Sequence, residues 1–579
     1  MNHVSENPPV HTLYQKYVEN QPDDEYATRL WGRIPLNMAE CHSYFSEIRA
    51  RYGTPPSELE ELKRAMKKQM RRLGILTSRV SQRIDALDHG AVETGQQPNC
   101  LGGPSFIFNK MTYISVLAGL GGGYVPLYYV GDYDSVQAEL LNIRVPSPSA
   151  RGMLITYPAP PEYEGALIRR LPNPDEEWLR KALEKIESNY RGLLKGVEPE
   201  KQERILQNLS HVFTIIRGAY YSTENVADFS TKILGAVVNL ESDMGIPILM
   251  ATDPEIRVFF KHGYEILLSE PNRSSFIRAS NDAVDLIEGL GYRAQIGRRS
   301  QGYVPFFLEC QTPSCHGNRV ELKYRAGSGS TASVEGKCPR CEQTYSYSFN
   351  AEKPEIDEIA KMITPRVDSR QVVVDSVIPV VAHVGGPGET SYYAEVIPGV
   401  SQLGIPFPTY TRYARVFYNT PWNEVAMRSV EARGYKTLSR RELFDALAAW
   451  VEAKKTNNVK GIAQAHGSMR KTIDETYATL REAKTEAEAK IDSIKRGLGE
   501  PATRATLMQE MKAKQVPVQE LNGYLSYAFG HFAPEKYGQE VSWAWIDLAL
   551  ASGVGEIVEI YKRLYGGWTP NSTVFYVNL

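Results

Sequence analysis

Four of the chain's six cysteines fall in one short stretch, as Cys310-x4-Cys315 and Cys338-x2-Cys341, with residues 316–337 between the pairs. Each pair has the spacing of a tight turn, and two such turns can converge to present four thiolates to one tetrahedral cation. The residues between them can hold a β-hairpin, because 320–324 alternates apolar and polar and 327–329 is glycine-rich, and beyond the second pair 344–349 alternates again. A zinc ribbon is therefore expected over 306–350, with Cys310, Cys315, Cys338 and Cys341 holding a structural Zn2+. Four protein ligands leave no open coordination position, so the metal is expected to hold the fold and not to do chemistry. His316, beside Cys315, is the alternative fourth ligand. Cys41 and Cys100 have no partner spacing and read as small buried residues.

With 579 residues the chain is too long for a single core, so several domains are expected. Six cysteines are too few for a disulfide scaffold in a chain of this length, which points to a reducing cytoplasm. The N-terminus has no basic and then apolar signal pattern, and no apolar run reaches the roughly 20 residues of a membrane span. No membrane partner is expected. Lys and Arg number 66 against 68 Asp and Glu, for a net charge of -2. A general nucleic-acid coat protein would need a basic excess, so nucleic acid is not an expected partner.

Periodicity divides the chain further. Residues 1–90 read as a helical segment, and 91–160 as the first half of a Rossmann-like α/β core: a loop at 94–98, a helix to 117, and a buried strand over 124–130. Strand, glycine-rich loop, helix, strand is the rhythm of a parallel, doubly wound sheet. Residues 161–235 read as a helical insertion and 236–305 as a connecting segment with sheet-like sequence at 245–250. The second half of the core is placed at 351–424, where 371–384 reads as one buried strand. Residues 425–579 read as a long helical hairpin or coiled-coil arm, centred on the Ala-, Glu-, Lys- and Arg-rich 469–494, and a C-terminal part that packs back on the body. Such an arm implies a homodimer.

Two loops and three basic side chains carry candidate binding chemistry. Thr94-Gly95-Gln96-Gln97 offers two amides beside a glycine that lets backbone approach a ligand. An ordinary tight turn is the alternative. Lys110 follows on the next helix, within reach of a phosphate or else solvated. Gly385-Gly386-Pro387-Gly388-Glu389 ends an apolar strand and opens a helix, which places backbone N–H groups where an anion binds. Glu389 is a candidate for a ribose hydroxyl or an amine, or a helix cap. Arg412 and Arg415 are candidate phosphate or carboxylate clamps, or surface ion pairs.

Together these loops resemble the bacillithiol-biosynthesis cysteine-adding enzymes, the cysteine ligase family that completes bacillithiol. The matching pieces, in order, are 94–97 with 102–104 and Lys110; the strand 125–130 before an acidic loop; 244–249 with 253–255; and 291–295. The most specific piece runs from Thr364-Pro365-Arg366-Val367 through Arg370, Asp375 and Pro379 to 385–389, Tyr392, Pro408 and Arg412. The resemblance implies a class I synthetase-like Rossmann core with helical insertions and a C-terminal coiled coil. It also implies an ATP-dependent carbon–nitrogen ligase, with ATP and Mg2+ as substrate, joining an amino acid to the amine of a small acceptor. On that reading Gln97, Asp134 and Glu389 hold the reacting amine. Thr94, Gly95, Gln96, Lys110, Gly385, Gly386, Gly388, Tyr392 and Arg412 bind nucleotide or substrate. The family's Glu-Asp-His-Asp run is here Gly131-Asp132-Tyr133-Asp134, and the cysteine module is an addition to the family pattern. A synthetase-like protein acting on tRNA and a non-catalytic dimeric nucleotide-binding protein are the alternative readings.

Overall fold

A computed structural model describes residues 7–20, 24–54, 56–147, 152–432, 459–498, 504–513, 515, 518, 521 and 539–579. Helices dominate up to residue 90, and the first strands follow as β1 (Ala91–Gln96) and β2 (Val125–Val130), joined through the helix Phe106–Ala118. A short antiparallel pair, β3 (Asn142–Val145) and β4 (Met153–Thr156), precedes the long helices Glu176–Leu193 and Pro199–Tyr220. Next come β5 (Ile248–Met250), then β6 (Phe306–Glu309), β7 (Arg319–Ala326), β8 (Thr331–Lys337), β9 (Thr344–Asn350) and β10 (Ile363–Pro365). The last strands are β11 (Val380–Gly385), β12 (Thr409–Arg412), β13 (Arg415–Asn419) and β14 (Val574–Asn578).

The central sheet has the order β12-β11-β1-β2-β5, and every pairing in it is parallel. Both faces are covered by helices, which is why β2 (VPLYYV) and β11 (VVAHVG) are buried at every position instead of alternating. The polar residues inside this sheet, Glu93 and His383, are buried and meet one another and Arg370. β6 to β10 form a second, antiparallel sheet of order β10-β6-β7-β8-β9, with the expected hairpin at β7–β8. This sheet extends beyond the cysteine segment, because Ile363–Pro365 supplies its edge strand.

Two stretches differ from their sequence pattern: 94–96, read as loop, is the end of strand β1, where it pairs with β2, and the second lies at 371–384. Residues 371–384 are not one strand: Arg370–Asp375 is helical, and the strand begins only at Val380, after Pro379. Val372, Val373 and Val374 favour a strand by themselves. The helix wins because it turns Arg370 and Gln371 together onto Glu93, and because Gln371 donates to Asp375 one turn later, at 2.8 Å.

Residues 469–494 lie within one 39-residue helix, Val459–Gly497. Toward its end Leu480, Ala483 and Ile491 are buried, at the spacing of an apolar stripe. The C-terminal part packs back on the body: Trp543 and Trp545 are buried, and β14 pairs with β13 in parallel. Among the described residues no helix is long and apolar enough to cross a membrane.

Candidate functional site

The carboxyl ends of parallel strands are where open α/β sheets bind ligands, since the loops there are free of the ladder and helix N-termini point at the crevice. Here that edge opens into a cavity of about 1880 Å3. One wall is the end of β1 and the turn after β11. Another is the antiparallel cysteine sheet, and the helix Val459–Gly497 adds Arg481 and Lys484. Among the described residues ten Lys or Arg and five Asp or Glu line it, an excess of the sign that phosphates and carboxylates require.

At the sheet end the helix Pro387–Ser401 starts directly from β11. Pro387 has no N–H to leave unsatisfied and its φ suits a first helical position. The N–H of Gly386 is taken by the helix's own third residue, since it donates to Glu389 Oε2 at 2.7 Å. Lys110, reaching over from the Phe106–Ala118 helix, donates to the same oxygen at 2.6 Å, to the carbonyl of Gly95 at 2.9 Å, and to Gln96 Oε1 at 3.4 Å. An ammonium has three N–H groups, and these three acceptors account for them. Lys110 is 1% exposed, under the rings of Phe106 and Tyr413. In this arrangement it fixes Glu389 against the end of β1 at Gly95. Burial pushes the Glu389 carboxyl up, but Lys110 and His383 outweigh that and bring it to about 2, so it is ionised. An ionised carboxylate at the cleft can orient a cationic amine.

Below this turn lies a second buried pair. Arg370 Nη1 donates to Glu93 Oε1 at 2.6 Å, and Gln371 donates to its other oxygen at 2.8 Å. Burial raises Glu93 and the Arg370 charge lowers it further, to about 2. Arg370 itself lines the cavity. Across from it, Asp368 accepts from Arg299 and from Tyr303, each at 2.9 Å.

Gly95, Gln96, Gln97, Lys110, Asp134, Gly386, Gly388, Glu389 and Tyr392 all line the one cavity. Thr94, Gly385 and Arg412 are not among its lining residues. Thr94 Oγ1 donates to the Val384 carbonyl at 2.7 Å and ties β1 to β11. Gly385 is a packing glycine, because a Cβ there would sit 2.4 Å from the Tyr410 hydroxyl. Arg412 donates to Gln15 Oε1 at 2.6 Å, over the ring of Tyr14, which turns it toward the N-terminal helices. Arg299, Arg319, Asp368 and Tyr413 also line the cavity, and sequence reading missed them. Arg366 and Arg370 stood inside the most specific motif, which was the available signal for them.

The four cysteines come together. Their sulfurs lie within 4.8 Å of one another, with Cys310 and Cys341 at 3.6 Å and Cys315 and Cys338 at 4.0 Å. A tetrahedral ion with ligands at about 2.3 Å puts its sulfurs about 3.8 Å apart, so the set fits zinc. A hydrogen bond with Thr312 draws the Cys341 thiol down to about 6, whereas burial pushes Cys315 up to about 12. Four thiolates this close repel one another, and a bound cation is what would stabilise them all in the ionised form.

A doubly wound parallel sheet with a charged cleft at its carboxyl edge defines a Rossmann-like ligand-binding protein. The family model described as Bacillithiol biosynthesis BshC, N-terminal Rossmann-like domain, matches residues 3–412, and the chain belongs to that family. A protein of Desulforamulus reducens named "Putative cysteine ligase BshC" is 25% identical over 327 residues, covering 54% of this chain and 52% of the relative. One of the same name from Carboxydothermus hydrogenoformans is 22% identical over 483 residues, covering 80% and 81%. The match thus spans about half the length of the first relative and about four fifths of the second.

Proposed function

We propose that the protein is a cytoplasmic ATP-dependent carbon–nitrogen ligase that joins an amino acid, cysteine by family, to the amine of a small-molecule acceptor, as in bacillithiol biosynthesis. What carries this reading is the Gly386–Glu389 turn and the Gln96–Gln97 loop, drawn together by Lys110 on one rim of the cleft. The N–H groups of Gly388 and Glu389, in the first helical turn, have no acceptor within their helix and suit an anionic oxygen. A Cβ on Gly388 would meet nothing within 4 Å, so a ligand has room to approach there. Glu389 and the amides of Gln96 and Gln97 orient the amine, and the excess of cationic side chains favours ATP with Mg2+ and an activated carboxylate. The protein's own contribution is alignment and charge stabilisation.

The four-cysteine cluster is assigned a structural Zn2+, held by Cys310, Cys315, Cys338 and Cys341. The helix Val459–Gly497 is assigned to a coiled-coil arm that dimerises the protein.

Calorimetric titration with ATP, repeated in the presence of single amino acids with cysteine first, tests the enzyme reading. Binding of ATP that is strengthened by one amino acid supports it and identifies half of the substrate pair. No heat with any nucleotide on folded protein would sink it.

A further inference from the structure

We propose that Arg319 is a positioning residue through which the four-cysteine cluster sets the shape of the ligand cleft, by holding the acidic loop 131–134 against its wall. The proposal rests on the assignment of Zn2+ to that cluster.

Arg319 opens β7 immediately after the first cysteine loop, and the loop clamps its neighbour. Cys310 N donates to the Asn318 carbonyl at 2.9 Å, and Asn318 N donates to the Cys315 carbonyl at 2.9 Å. The path of the chain into Arg319 is therefore set by the two residues that carry half of the cluster's thiols. From there the Arg319 side chain crosses to the core. Its Nη2 donates to the Tyr133 carbonyl at 2.6 Å and to Asp134 Oδ1 at 3.0 Å, while the guanidinium lies 4.6 Å from the Phe307 ring centre. Tyr133, Asp134, Phe307 and Arg319 all line the cavity. A planar, always-charged fork stacked on an aromatic ring is a rigid strut, which a lysine is not.

The same module grips the far side of the acidic loop. His316 stacks on Tyr163 with centroids 4.3 Å apart, and Asn318 Nδ2 donates to the Glu164 carbonyl at 3.0 Å. The chain through 163–168 then bonds the acidic loop itself, with Val136 N to the Ala166 carbonyl at 2.8 Å and Ile168 N to the Asp134 carbonyl at 2.7 Å. Loop and cysteine module are thus joined directly through Arg319 and indirectly through 163–168. Release of the metal frees the cysteine turns, and with them the strut.

Hydrogen exchange on protein loaded with one equivalent of Zn2+ tests this without any substrate. Chelation is expected to raise exchange in 131–136 about fivefold or more, the scale of a typical coupling between sites, and to leave 91–96 unchanged. Arg319→Gln, with zinc still bound, should show most of the same faster exchange, and chelation should then add only the smaller part carried through 163–168. Arg319→Lys should recover part of the protection. Unchanged exchange in 131–136 after chelation overturns the proposal, and so does a full chelation effect in Arg319→Gln. Should Arg319→Gln fail to retain zinc, Asp134→Asn tests the pair from the loop side: a diminished chelation effect supports the strut and a full one refutes it. Absence of ATP binding in the wild type would remove the ligase reading and leave this coupling untouched, because the exchange readout needs no ligand.

Discussion

Lys110 Nζ and Glu389 Oε2 lie 2.6 Å apart although 279 positions separate the residues, and Lys110 is almost wholly buried. The pair joins the helix after β1 to the helix after β11 and closes one rim of the cleft. Removing one partner leaves a buried charge alone, so Lys110→Met should lower unfolding stability in urea by about 3 kcal/mol. Adding Glu389→Leu should recover part of that loss. If Lys110→Met unfolds at the wild-type midpoint, the pair does not hold the rim.

Gly388 and Gly385 should respond oppositely to substitution. Gly388→Val adds its side chain into open space and should leave the melting temperature within about 2 °C of wild type, while weakening ATP binding about tenfold or more. Gly385→Ala drives a methyl group against the Tyr410 hydroxyl and should lower the melting temperature by several degrees. Unchanged ATP affinity in Gly388→Val would remove that turn from the site.

The cysteine cluster predicts its own stoichiometry. Wild-type protein should carry one zinc per chain, and Cys338→Ser with Cys341→Ser should carry none and lose protection in β7 and β8. A double variant that binds zinc as tightly as wild type would refute the ligand set.

Stability should fall as pH rises toward neutrality. Burial raises Glu540 from 4.5 to about 7 and Asp547 from 3.8 to about 7, against the hydrogen bonds that favour their charged forms. A carboxyl raised in the folded state stabilises fully below its unfolded value and loses that contribution as pH rises through the folded one. Each should therefore cost on the order of 3 kcal/mol between about pH 4 and pH 7. Asp547→Asn should flatten that slope in chemical unfolding followed from pH 4 to 8, and an unchanged slope would refute the assignment.

Much of the architecture could be read before any coordinate. The βαβ unit at 91–130, a helix following the 385–389 turn, the hairpin inside the cysteine segment and helical structure over 469–494 all rest on signals a few residues apart: period, turn chemistry and cysteine spacing. The longer misread stretch, 371–384, failed for the same reason. Its valines state a local preference for strand, and the helix of Arg370–Asp375 exists to bring Arg370 and Gln371 to Glu93, 277 and 278 positions away.

The sequence by itself determined the parallel sheet, the glycine turns at its carboxyl edge and the spacing of the thiols, because those follow from short-range sterics and hydrophobic period. Only the tertiary structure decided that Lys110 is spent on Glu389, that Arg412 turns away to Gln15, and that Arg319 reaches the acidic loop from a separate sheet. Which charge meets which is settled by packing and desolvation across hundreds of residues. A side chain's type carries its charge, while its partner is fixed by where the fold buries it.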